Sequence, residues 1–103
     1  MATAELFRAL GDPTRLKMIQ RLSSGNPYTI TTLSDGFSIS RQGARKHLQL
    51  LADANIVSLE SRGRDTAVYL EIETLKSGEA YIAELGVRWD SRLEALRRLV
   101  DGT

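Results

Sequence analysis

The sequence has 103 residues, the length of one ordinary domain, and we treat residues 1–103 as a single domain. Hydrophobic residues make up 42% and charged residues 26%, which predicts a globular chain and excludes intrinsic disorder. The absence of cysteine excludes disulfides, thiolate metal sites and cysteine nucleophiles, whereas the formal net charge of +1 excludes no class of partner.

The location and the partners follow from apolar runs and from charge placement. No apolar run approaches the roughly 20 residues that span a bilayer, and no signal peptide is visible, so we expect a cytoplasmic protein with no membrane partner. Residues 1–70 carry nine Lys/Arg and six Asp/Glu, while residues 71–103 carry five and seven. Three basic residues and no acid fall between Ser38 and Ala52. This basic element indicates an anionic partner or, alternatively, a solvated face.

Two short amphipathic helices are predicted at the start of the chain. Gly11 ends the first helix, and Asp12-Pro13 has the form of an N-cap followed by proline at the first helical position of the second. The apolar residues at helical spacing are Leu6, Phe7 and Leu10 in the first helix and Leu16, Ile19 and Leu22 in the second.

A short third helix and a longer fourth helix follow. Thr29 is a candidate N-cap for the third helix, and Gly36 is a candidate for ending it in the left-handed conformation. Ser40 is a candidate N-cap for a fourth helix that runs to about Asn55. The inner stripe of that helix comprises Ala44, Leu48, Leu51 and Ala52, and its other side carries Arg41, Gln42, Arg45, Lys46 and Gln49.

The periodicity then changes to that of a β-hairpin followed by a long helix. Residues 56–60 and 67–72 alternate as strands, and residues 61–65 form a basic turn around a glycine. A helix with an apolar seam is predicted from about Thr74 to Val100. These elements predict a mainly α fold with a small β-hairpin: a winged helix-turn-helix of about five helices plus a two-stranded wing.

This order of elements fits a protein that binds duplex DNA. An α-helix fits the major groove, where the side chains of its first turns reach base edges. Arginine suits guanine and glutamine suits adenine, so Arg41, Gln42 and Arg45 are candidates for base reading. Lys46 is expected to contact a phosphate, since its ammonium acts as a point charge. The alternative for the base-reading candidates is contact with phosphate only, or no contact.

Several motifs resemble those of the ArsR-type bacterial repressors. Residues 7–19, FRALGDPTRLKMI, resemble the opening motif F-x-A-L-x-D-P-T-R-L-x-I-L. Residues 40–51, SRQGARKHLQLL, resemble the recognition-helix pattern S-x-x-x-V-S-x-H-L-x-x-L. Further similarity is carried by residues 55–57, by Arg62-Gly63-Arg64 and Tyr69, and by residues 89–96, which resemble the W-D-x-R-L-x-x-L of a subgroup.

The resemblance implies a homodimeric repressor that binds double-stranded DNA, and not an enzyme. The recognition helix is expected at about residues 40–55 and the wing at about 61–66. We predict DNA contacts at Ser38, Ser40, Arg41, Gln42, Gly43, Arg45, Lys46, His47, Arg62, Gly63 and Arg64.

Some of these residues have a structural interpretation as well. Gly43 indicates either a close approach to DNA or packing against the third helix. His47 is expected to be half-buried and to bond a backbone group or a phosphate. Asp12 and Arg15 of the opening motif are interpreted as a cap and as a tie between helices. Tyr69 is expected to pack beneath the wing.

The seam of the last helix is longer than one winged domain can cover, so residues 74–100 are predicted to be a dimerisation helix. Two-fold pairing would set two recognition helices about 34 Å apart and favour an inverted-repeat operator. The predicted interface comprises Leu6, Ile82, Leu85, Trp89, Leu93, Leu96 and Val100. The alternative is a winged-helix protein-interaction module that acts through this helix.

The resemblance also implies that a metal ion or another inducer releases the DNA. Metal sensors of the family use a C-x-C in the third helix or His and acidic sites on the last helix. Thr29 and Thr31 occupy the C-x-C positions here, and the last helix has no His, although acids on it leave a carboxylate site as the alternative. We predict no metal and no cofactor, and we leave open an unidentified small-molecule inducer. Catalysis is not expected, since His47 is the one histidine and no phosphate loop is present.

Overall fold

The computed structural model describes residues 3–100, apart from the side chain of Val100. Within this range, five α-helices and a three-stranded antiparallel sheet confirm the predicted winged-helix architecture. The helices are α1 Thr3–Leu10, α2 Pro13–Leu22, α3 Ile30–Leu33, α4 Arg41–Asp53 and α5 Ile72–Val100, and the strands are β1 Tyr28–Thr29, β2 Val57–Arg62 and β3 Asp65–Leu70.

The three predicted caps fix the starts of α2, α3 and α4. Asp12 Oδ2 accepts hydrogen bonds from two backbone N–H groups of the first turn of α2, at 2.9 and 3.1 Å. Thr29 caps α3 in a capping box with Thr32, and Ser40 Oγ accepts from the Gly43 N–H at 2.9 Å at the start of α4. Each cap satisfies N–H groups that the helix itself leaves unpaired.

The end of α4 is a Schellman motif. Asn55 has a φ of 60°, and its N–H donates to the Ala52 carbonyl, while the Ile56 N–H donates to the Leu51 carbonyl, both at 2.9 Å. Asparagine tolerates this left-handed conformation better than most residues. The motif therefore turns the chain out of α4 and into β2.

One apolar core holds the first four helices against the sheet. Its largest side chains without exposed surface are Met18, Leu33, Leu48, Leu51 and Ile56. The prediction for α2 was wrong at one position, because Leu16 is 43% exposed. The buried face of α2 is centred on Met18, Ile19 and Leu22, and Leu16 lies at its edge.

The sheet has the order β1-β3-β2, so the predicted two-stranded wing has a third strand at its base. Tyr28 pairs with Val68, and β2 pairs with β3 as far as Arg62, opposite Asp65. The wing turn is therefore only two residues long. Its first residue, Gly63, has a φ of 60°, as a type II′ turn requires.

Helix α5 starts at Ile72, two residues earlier than predicted, and projects beyond the core. Near its start, Gly78 lies against α1, where a methyl group on its Cα would come within 2.7 Å of Leu6 Cδ2. Residues 79–99 are all exposed, and the molecule measures 69 × 25 × 24 Å along its principal axes. Among residues 3–100, no helix is both long and apolar enough to cross a bilayer.

Candidate nucleic-acid interface

Helix α4 turns an apolar face to the core and a basic face to solvent. Ala44, Leu48 and Leu51 are buried, which fixes the rotation of the helix about its axis. The residues of the opposite face are exposed, namely Arg41, Gln42, Arg45 and Lys46. The four predicted recognition residues therefore share one accessible surface, which we call the α4 face.

The basic groups of the α4 face and of the wing tip form no close ion pair within residues 3–100. Among the described residues, no carboxylate lies within 4 Å of the side-chain nitrogens of Arg41, Arg45, Lys46 or Arg64. Several cations of α5, by contrast, pair with acids of the same helix: Lys76 with Glu73, Arg88 with Glu84, and Arg97 with Glu94. The positive charge of the α4 face and the wing tip is thus available to an external anion.

The wing places its two arginines differently. The Arg62 guanidinium donates to the Tyr69 hydroxyl at 2.6 Å and lies 3.8 Å from a Glu60 carboxylate oxygen. Tyr69 is 38% exposed, so it lies on the outside of the wing and not beneath it as predicted. Arg62 is therefore held along the strands, while Arg64 stands at the tip of the turn beside Gly63.

A groove of about 400 Å³ joins the α4 face to the wing. Arg45, Lys46 and Gln49 line it from the helix, and Ser61 and Thr66 line it from the strands. Apolar Ile30 and Leu59 contribute the rest of its lining. The structure thus brings Arg45 and Lys46 next to wing residues, and a single ligand can contact both elements.

Ser38 and Gly43 have surroundings that differ from the α4 face. Ser38 lies in a separate groove between α2 and the segment that precedes α4. At Gly43, an added Cβ would lie 3.3 Å from Ser40 Oγ and 3.8 Å from Ile39 Cβ. The residue thus packs against its own cap and the preceding segment, and not against α3, which was one of its two interpretations.

His47 is directed towards α2. Its Nδ1 lies 3.1 Å from an Arg15 guanidinium nitrogen and 4.0 Å from Asp12 Oδ2, and its side chain is 24% exposed. Arg15 also donates to the Ala9 carbonyl at 2.6 Å, which confirms its interpretation as a tie between helices. The backbone N–H of Arg15, with the nearby charges of Arg15 and His47, lowers the pKa of Asp12 below its usual 3.8. His47 is thus half-buried and belongs to the helix contact more than to the α4 face.

Two polar residues near the interface were missed by sequence reasoning. Asp65, at the base of the wing, accepts from the Thr66 N–H at 2.8 Å, and this bond lowers its pKa, with a smaller contribution from the charge of Arg41. Arg21 of α2 donates to the carbonyls of Leu33 and Asp35. The Arg21 contacts join residues distant along the chain, so no short-range sequence pattern indicates them. The Asp65 contact is local, with the N–H of the next residue.

The apolar seam of α5 is left uncovered by residues 3–99. Ile82, Leu85, Trp89, Leu93 and Leu96 are between 42% and 59% exposed. Leu6 needs correction: it is only 3% exposed, because it packs into the core and against Gly78 of its own chain. The side chain of Val100 lies outside the described residues.

The acidic side chains of α5 are the alternative source of a metal site. Among residues 3–100, no three His, Cys, Asp or Glu side chains cluster in a way that would hold a metal ion.

Sequence relatives share the helix-turn-helix part of the chain. A family model described as a helix-turn-helix domain matches residues 10–60. The uncharacterized HTH-type transcriptional regulator YuzN of Bacillus subtilis (strain 168) is 35% identical over 78 residues, which are 70% of this chain and 85% of that protein. The transcriptional repressor SdpR of the same organism is 30% identical over 69 residues, 67% of this chain and 73% of that protein.

The architecture is also found in solved structures. A crystal structure of an ArsR family transcriptional regulator has a TM-score of 0.82 and 32% identity, covering 87% of this chain and 92% of that one. The chain belongs to the ArsR family. An ArsR-like regulator from Rhodococcus sp. RHA1 has the same TM-score with 26% identity, covering 95% and 92%. As an ArsR-family member, the protein is a DNA-binding transcriptional regulator and not an enzyme.

Proposed function

We propose that this ArsR-family protein is a homodimeric repressor that binds an inverted-repeat operator. The observation that carries the proposal is the set of unpaired, exposed cations on the α4 face and at the wing tip. Base readers of α4 enter the major groove, and Arg64 contacts the flanking backbone. Repression is supported by the relative SdpR, which is described as a transcriptional repressor.

The dimer is proposed from the uncovered seam of α5. Five large apolar side chains on one helix, each more than two-fifths exposed, form the kind of surface that marks an interface. The occupant we propose is a second copy of the chain, since a two-fold axis pairs a seam with itself and also matches an inverted repeat. Light scattering at micromolar concentration is expected to give twice the chain mass of 11.4 kDa, and a mass of 11.4 kDa would contradict the dimer.

Selection from fragmented genomic DNA of the source organism tests the function itself. The purified protein is mixed with the fragments at about 150 mM salt, where non-specific binding is weak, and retained fragments are sequenced. We expect enrichment of an inverted repeat near a promoter. Recovery of no common sequence by folded, dimeric protein would count against sequence-specific binding.

A transcription assay on the enriched promoter then tests repression. Adding the protein should reduce transcript from that promoter and leave a promoter without the repeat unchanged. Increased transcript would identify an activator, contrary to the proposal.

A further inference from the structure

A groove of about 450 Å³ lies between α2 and residues 34–40, the segment that we call the connector because it joins α3 to α4. Thr14, Lys17 and Arg21 line it from α2, and residues 36–39 line it from the connector. We propose that this connector groove binds a backbone phosphate of the operator, with Lys17 as its cation. The inference rests on the proposed function and adds a contact that lies outside α4 and the wing.

The charge of the connector groove suits an anion. Its lining contains two cations and no carboxylate. Lys17 is exposed, and among the described residues no carboxylate lies within 4 Å of its ammonium. The side-chain hydroxyls of Thr14 and Ser38 are likewise not used in hydrogen bonds to other described residues, so both can donate to a phosphate oxygen.

Arg21 makes the connector groove a fixed structure. Its guanidinium donates to the Leu33 carbonyl at 2.9 Å and to the Asp35 carbonyl at 2.6 Å, and it lies 4.3 Å from the centre of the Phe37 ring. These contacts hold the connector against α2. Arg21 thereby adds positive charge to the wall of the groove while Lys17 keeps its donors for the ligand.

The position of the connector groove points to duplex DNA as the source of the phosphate. The groove includes Ile39 and so adjoins Ser40, the cap of α4. A helix in a major groove about 12 Å wide has a phosphate backbone on either side. The wing flanks α4 beside Arg45 and Lys46, whereas the connector groove flanks its first turn. We therefore expect the wing and the connector groove to contact different phosphates.

Substitution of Lys17 tests the contact. In Lys17→Ala, the affinity for the operator and for an unrelated duplex should fall by the same factor, about eightfold per bound subunit at 0.1 M salt, and the log–log salt slope should fall by about 0.9 per subunit. Lys17→Arg should retain most of the affinity, which also shows that the site tolerates substitution. The matched control is Lys76→Ala, which removes another exposed lysine, on α5, and should change neither quantity.

Phosphate ethylation interference locates the contact. Ethylation of the phosphate that Lys17 contacts should weaken binding of the wild-type protein but not of Lys17→Ala. The corresponding phosphate for Arg64→Ala should be a different one. If Lys17→Ala binds as tightly as the wild type while Arg64→Ala is weakened, the inference fails and the proposed function stands. A loss confined to one DNA sequence would also overturn it, by indicating base reading. If the wild-type protein binds no duplex, the proposed function fails first.

Discussion

At the scale of single residues, the arginines of the helix-turn-helix divide between structure and recognition. Arg15 and Arg21 donate to backbone carbonyls at 2.6 Å, and these bonds tie α2 to α1 and to the connector. Arg45 and Arg64 are exposed and have no carboxylate within 4 Å among the described residues. The carbonyls of Ala9 and Leu33 are partly buried, and leaving such a group without its donor costs free energy of folding. We therefore assign Arg15 and Arg21 to the fold, and Arg45 and Arg64 to the ligand.

The two exposed arginines are expected to differ in what their loss does. Arg45→Ala removes a base reader, so it should cost about 1–3 kcal/mol on the operator and relax specificity at one position. Arg64→Ala removes a phosphate contact, so it should weaken all duplexes alike. Fluorescence anisotropy measures the affinity of each variant for the operator and for a scrambled duplex. Arg97→Ala on α5 is the control. Equal losses on both duplexes for both variants would contradict this division of roles.

Asp12 gives a pH-dependent prediction. The Arg15 N–H bond lowers its pKa in the folded protein below 3.8, so folding favours the ionised carboxylate. The stabilisation is complete above pH 3.8 and is lost as the pH falls through the lower pKa of the folded state. Asp12→Asn keeps a capping oxygen but does not titrate. The difference between the unfolding free energies of the two proteins, from urea titrations, should therefore shrink as the pH falls from 6 to 3. A constant difference would contradict the lowered pKa of Asp12.

At the scale of elements, the start of α5 packs closely against α1 at Gly78. The absent side chain of Gly78 lets Leu6 pack directly against the helix backbone, where an added Cβ would be 2.7 Å from Leu6 Cδ2. Leu6 is 3% exposed and has little room to move. The contact sets where α5 leaves the core, and hence the direction in which its seam points.

A double-mutant cycle tests this contact. Gly78→Ala should lower the free energy of unfolding by about 1–3 kcal/mol, since it overpacks the site. In a Leu6→Ala background the clash is absent and alanine favours the helix by about 1 kcal/mol, so the same change should be neutral or stabilising. Urea titrations of the four proteins at one concentration measure the coupling. Additive effects of the two substitutions would show that the helices do not touch there.

The elements themselves were largely predictable, because their signals are local. The N-cap residues Asp12, Thr29 and Ser40 predict where three helices start, and Gly63 predicts the wing turn. Strand β1 was missed because two residues are too short to alternate. Leu6 was assigned to the dimer seam because helical spacing shows which residues are apolar and not which surface will cover them. The carbonyl partners of Arg21 are set by tertiary packing, so the connector groove could not be predicted from the sequence.

At the scale of the whole molecule, dimerisation and operator binding should be linked. Leu85→Lys combined with Leu93→Lys places four charges in the proposed interface of the dimer, so light scattering should give 11.4 kDa. Binding to the inverted repeat should then fall to the level of a single half-site, while helix content by circular dichroism is largely retained. A control double variant, Glu79→Lys with Glu84→Lys, changes charge on α5 without touching the seam residues. A dimeric Leu85→Lys/Leu93→Lys variant would place the interface elsewhere.

The joint between wing and long helix has a mechanical consequence. Glu71 is the single residue between β3 and α5, and its N–H donates to the Ile56 carbonyl at 2.8 Å. Because the connection is this short and is hydrogen-bonded, we expect the hairpin and the helix to move together as one rigid unit. In the proposed dimer, a small rotation of one α5 against the other would swing both wing tips in opposite senses. The helical repeat of the duplex then fits only one relative orientation of the two α5 helices, because the two wings must reach the DNA together.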